Sequence, residues 1–180
     1  MTTGIPEAAR PLLKQQVNVL RIIVISLAMG VIAFGVYAVI QHAGKPVVLA
    51  GELKPLNYVL LVFGLVALIG GFVAPALVLR GNPSSTANSP QLQHPAAKDP
   101  AVAKVLGLQA RIQAATIIGC ALFEGGAFAN LYGYLQSAEA LHLILAIVLL
   151  LGLLSKLPLG SPEERIERMQ RRMAEANQFK

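Results

Sequence analysis

The sequence predicts an all-α integral membrane protein: a four-helix bundle carrying a cytoplasmic amphipathic helix at its C-terminal end. Three observations lead there. Of 180 residues, 55% are hydrophobic and 13% charged, with a mean hydropathy of +0.62, so polar side chains are too few to cover a soluble domain. Four apolar stretches, about 19–40, 56–79, 112–135 and 138–157, reach or approach the roughly 20 residues a helix needs to cross the hydrocarbon. A lipid-exposed backbone must satisfy its own hydrogen bonds, and the alternation of barrel strands is absent, so each stretch is read as a helix.

Residues 1–18 form a cytoplasmic N-terminal segment with Arg10 and Lys14 ahead of the first span. The apolar run that follows exceeds the roughly 7–15 residues of a signal-peptide core and has no prompt cleavage site, so it is read as an uncleaved span. Gly44, Pro46, Gly51 and Pro55 mark residues 41–55 as an outer loop, with a short extended piece at Val47–Leu49. Helix 2 carries Gly64, Gly70 and Gly71 for close approach, and Pro75 is expected to bend its inner end. Residues 81–98, rich in Pro, Ser, Asn and Gln, read as a flexible cytoplasmic loop. Asp99-Pro100 is a helix start, with Asp as N-cap and Pro at the first helical position. Helix 3 then runs to Leu135 for ~54 Å, longer than the bilayer core, and either projects from it or bends near Gly107. Helices 3 and 4 form a tight hairpin across Gln136-Ser137.

The 161–180 segment opens with Ser161-Pro162-Glu163-Glu164, a capping box. Its apolar stripe is narrow (Ile166, Met169, Met173, Ala176), and Glu164/Arg168 and Glu167/Arg171 make favourable i,i+4 pairs. A solvated juxtamembrane helix, a membrane-surface helix, a dimeric coil and a docking face for a partner are all compatible with it.

Charge orients the spans. Thirteen of the fifteen Lys and Arg residues fall on the N-terminal, 81–98 loop and C-terminal side; only Lys45 and Lys54 fall opposite. The positive-inside rule puts both termini in the cytoplasm of a plasma (inner) membrane protein. The same asymmetry explains the net charge of +6, and without interleaved aromatics or a recognised fold no nucleic-acid partner is expected. Cys120, the one cysteine, excludes an intrachain disulfide and a paired-Cys metal motif. His94 reads as a solvated linker residue and His142 as a hydrogen-bonded interfacial one, with a role in proton relay as the alternative. No nucleophile with base, His/Asp/Glu cluster or phosphate loop stands out, so neither an enzyme, a metal nor a cofactor is expected.

Helix 3 is the exception to this plain composition. Glu124 lies mid-span, where a carboxyl costs about 2.5–3.5 kcal/mol on insertion scales and calls for a partner and a function. Eight Leu, Ile or Phe between 112 and 135 contribute roughly 2.5–5 kcal/mol, so this span depends on its neighbours. Ala121, Gly125, Ala129 and Gly133 form a small-xxx-small stripe expected to pack against another helix, with Glu124 beside it, pointing into the seam.

The run Thr116–Phe128, with Glu124 amid Gly119, Gly125 and Gly126, resembles the ion-binding helix of the rotary ATP synthase proteolipid, subunit c. The resemblance covers helix 3 only. It implies that Glu124 picks up and releases H⁺ or Na⁺, and it carries over no other residue and no ring assembly. The missing Trp and the lack of an acid in helix 1 count against a small multidrug exporter. Two functions follow. In one, the protein binds or translocates protons or cations through Glu124, alone or within a homo-oligomer or larger membrane complex; desolvation would keep the carboxyl neutral unless a cation or base compensates it. In the alternative it is a structural or accessory membrane protein, and Glu124 only hydrogen-bonds across the bundle, an interaction worth about 0.6 kcal/mol on average.

Overall fold

The computed structural model describes residues 6–43, 46–49, 54–80, 99–159 and 164. After a single 3₁₀ turn, Glu7–Ala9, come four α-helices: α1 (Arg10–Gln41), α2 (Pro55–Arg80), α3 (Pro100–Ser137) and α4 (Ala140–Leu154). Three of them, α1, α2 and α3, are long and apolar enough to cross a membrane. The expected 161–180 helix and the 81–98 loop lie outside the described residues, apart from Glu164.

α3 is the central helix. It packs on α2 most extensively, then on α4 and α1, while α4 also touches α1 and α2. α1 and α2 have little or no direct contact, so one face of α3 is left open between them.

The α2–α3 seam is made by small residues. α2 buries Gly64, Ala67, Gly71 and Pro75, spaced three or four apart, and leaves most of its other side chains outward. Large α3 side chains fill the resulting hollows: a Cβ at Gly71 would stand 2.6 Å from the Phe123 ring, and one at Gly64 would collide with Asn130. Pro75 does not break α2. Because it has no N–H to give the Gly71 carbonyl, that oxygen is released, and Gly119 of α3 closes on it, with a Cβ there only 3.1 Å away.

α4 returns along α3 in a fixed register about the turn at Ser137-Ala138. His142 meets Gly133, Leu149 meets Gly126, Gly152 meets Phe123, and Lys156 meets Gly119. These partners are equidistant from the turn in sequence. Ala138 makes that turn in the left-handed region, φ 55°, with its N–H bonded to the Tyr134 carbonyl at 2.8 Å. The expected extended piece is there too: Val48 pairs with Glu139, and Ala140 N–H donates to the Val48 carbonyl at 2.9 Å.

α1 and α3 both overshoot the bilayer thickness, at ~48 and ~57 Å. They do so at the same end. Ala9 and Leu13 of the N-terminal portion pack on Val102, Val105, Leu106 and Ile112, a second apolar core separate from the main one around Phe123. The first helix therefore begins at Arg10 and not near residue 19. α3 runs unbroken past Gly107. α4, at 15 residues, is shorter than the 20-residue stretch in the sequence, because the chain turns at Ser155 and Lys156.

Candidate functional site

A ring of cationic side chains marks one end of the bundle. Arg21 Nε donates to the Pro158 carbonyl at 3.1 Å, and Arg111 Nη2 donates to the carbonyls of Val78 (3.3 Å) and Leu79 (2.8 Å). The Lys156 ammonium lies 4.8 Å from the Phe72 ring centroid and 5.5 Å from that of Phe123. Long basic side chains that lay their stems on apolar surface in this way suit a membrane boundary. From Arg21 to Gln41, α1 covers ~30 Å, the thickness of the hydrocarbon.

Glu124 falls midway along α3 between Arg111 and Ser137, about 20 Å from each. It is half-buried, one turn from Phe128, whose ring packs on Phe34 of α1 at 5.5 Å. Its carboxylate makes no hydrogen bond or ion pair among the described residues. The seam expected beside it differs from the one observed. Ala121 and Gly125 are exposed on the open face of α3, and nothing lies within 4 Å of a Cβ built on Gly125. Ala129 is half-buried, and only Gly133 is in close contact, its Cβ position 2.6 Å from the His142 ring. The reason is geometric: a four-residue spacing drifts by about 40° per step on a 3.6-residue helix, so the stripe turns about 120° over its length. Within the chain, the glycines that α3 uses are Gly119, Gly126 and Gly133, spaced seven apart.

A second polar locus sits at the hairpin end, and sequence reasoning did not assemble it. Asn130 of α3, Glu139 of the turn and His142 of α4 are all buried. Asn130 Nδ2 donates to the carbonyls of Gly126 (2.9 Å) and Leu60 (3.2 Å), and its Oδ1 lies 3.1 Å from His142 Nδ1. His142 Nε2 lies 3.8 Å from Glu139 Oε2. The hairpin expected across Gln136-Ser137 turns one residue later, at Ser137-Ala138, and this register puts His142 against Gly133, a turn away from Asn130. Nearby, His42 Nε2 donates to the Leu135 carbonyl at 3.0 Å and its ring packs edge-on against Tyr134 at 5.2 Å.

A cleft of about 320 Å³ between α1 and α4, lined by Val31, Gly35, Leu131, Leu143, Ala146 and Leu150 among others, is wholly apolar and offers no chemistry. No group of three or more His, Cys, Asp or Glu side chains suited to a metal occurs among the described residues. No family model, curated protein or solved structure matches the chain.

Proposed function

We propose that this multi-pass membrane protein binds or translocates protons or cations through Glu124, as the resemblance of its third helix to the ATP synthase proteolipid implies. The carrying observation is a carboxyl at mid-depth with no hydrogen-bond or ion-pair partner among the described residues, half-buried beside an open helix face. A carboxyl kept there without an internal partner is expensive, and exchange with an ion or a proton accounts for its retention. The scheme has four spans and both termini in the cytoplasm of a plasma membrane. Its support is that α4, though short, ends beside Arg21, level with the basic ring, and that basic residues concentrate at that end.

The exposed Ala121 and Gly125 favour a second reading, in which another copy or a larger complex covers this face and Glu124 hydrogen-bonds to it as part of an accessory protein. Vesicles carrying an imposed proton or sodium gradient separate the two. Ion binding predicts a gradient-dependent response that Glu124→Gln abolishes at equal incorporation. The accessory reading predicts the same trace from both proteins.

A further inference from the structure

The hairpin-end locus is short of one proton. Asn130 uses both amide hydrogens on the Gly126 and Leu60 carbonyls, which fixes its orientation, since a flipped amide would set oxygen against two carbonyl oxygens. Its Oδ1 must therefore accept, and His142 Nδ1 must carry the hydrogen that it accepts. In a neutral imidazole that leaves Nε2 as a bare lone pair. Nε2 faces Glu139 Oε2 at 3.8 Å, and neither atom has a hydrogen-bond partner among the described residues. His142 is 0% and Glu139 3% exposed, so the pair is shut off from bulk solvent. Two buried acceptors facing each other is an arrangement that folded proteins avoid.

We propose that Glu139 and His142 form a one-proton binding site at the α3–α4 turn, distinct from Glu124. A proton from the aqueous phase at that end adds to Nε2, making an N–H that Oε2 accepts, or adds to Oε2, making an O–H that Nε2 accepts. No other bond is made or broken, and the pair passes from a net charge of −1 to 0. A closure of about 1 Å brings the two atoms to charge-assisted hydrogen-bond distance.

Among the described residues the surroundings are suited to holding that proton and place no other charge in contact with the pair. From α3, the ring meets Asn130 and the Cβ-less Gly133; from α2, Gly64 and the Leu60 carbonyl meet Asn130. From the described part of the preceding segment the Val48 backbone reaches the turn. The other titratable side chains described at this end are Tyr37 and His42 of α1, Lys54 and Tyr58 at the start of α2, and Tyr132 and Tyr134 of α3, of which His42 and Tyr134 pack on each other. Among the described residues no cation other than His142 lies within ion-pairing reach of Glu139.

The test uses full-length protein in lipid nanodiscs with ¹⁵N-labelled histidine, His142 being assigned by its loss in His142→Gln. The expected spectrum at alkaline pH is an Nδ1–H ring with unprotonated Nε2. On acidification the pair gains one proton, seen on Nε2 by ¹⁵N or as a protonated Glu139 carboxyl by infrared. Glu139→Gln removes the infrared signal and weakens proton binding at His142 about tenfold or more. An Nε2–H neutral tautomer, a pair that gains no proton at any pH at which the protein stays folded, or a titration unchanged in Glu139→Gln overturns the proposal. Should Glu139→Gln fail to fold, the wild-type tautomer and infrared titration decide alone.

Discussion

Gly126→Ala and Gly125→Ala differ by one position on α3 and are expected to behave oppositely. A Cβ on Gly126 would stand 2.6 Å from the Ala67 Cβ and 3.2 Å from Leu149 Cδ1. Carbon atoms rest at about 3.5–4.0 Å, so α2 must retreat by about 1 Å at its closest crossing. Overpacking of this kind costs about 1–3 kcal/mol, against a helix-propensity gain of up to about 1 kcal/mol, leaving a net loss of about 1–2 kcal/mol. A Cβ on Gly125 meets nothing within 4 Å, so only the propensity gain applies there. Cys120 supplies the assay, since it is the one cysteine and is fully buried in the main core. When closing outpaces labelling, its reaction with a thiol dye in detergent follows the population of the opened bundle. A difference of about 2 kcal/mol makes Gly126→Ala label roughly thirty-fold faster than Gly125→Ala. Equal rates, or faster labelling of Gly125→Ala, would refute the assignment of faces on α3.

Three further outcomes follow from the same geometry. Ala138→Gly removes the cost of a left-handed alanine at the α3–α4 turn and should slow Cys120 labelling by about 0.5–1 kcal/mol equivalent. Asn130→Leu keeps the branching of the side chain but strands the His142 Nδ1–H, so labelling should accelerate by the equivalent of about 1–3 kcal/mol. Glu124→Gln breaks no hydrogen bond or ion pair among the described residues, and its labelling rate should stay close to wild type; a large acceleration would mean that the carboxylate holds the fold together.

Much of the fold was legible because hydrophobic runs of spanning length have few alternatives in a bilayer. Asp99-Pro100 marked the start of α3, and the apolar run located α2 to within a residue. The N-terminal turns of α1 were not legible. Arg10, Lys14, Gln15 and Gln16 make that segment look like a polar flank, and Leu13 and Val17 acquire meaning only when Val102 and Leu106 of α3 stand opposite. The small-residue stripe does not form a single seam within the chain, because identical spacing on paper rotates around a real helix, sending Gly125 outward and Gly133 inward. Asn130 read as a weak point of its span and His142 as an interfacial residue. Their pairing depends on hairpin register, which the left-handed turn at Ala138 sets and which no local pattern in either helix reveals.

Carbodiimide labelling of the full-length protein in lipid tests the central claim about Glu124 most directly, because the reagent attacks protonated carboxyls in apolar surroundings. The site is read by peptide mass, which separates Glu124 from Glu139. The account predicts modification at Glu124 that rises as pH falls, is blocked by the exchanging cation where there is one, and is absent in Glu124→Gln. A wild-type protein whose Glu124 stays unmodified at every pH, or is modified to the same extent regardless of pH and cation, would contradict it.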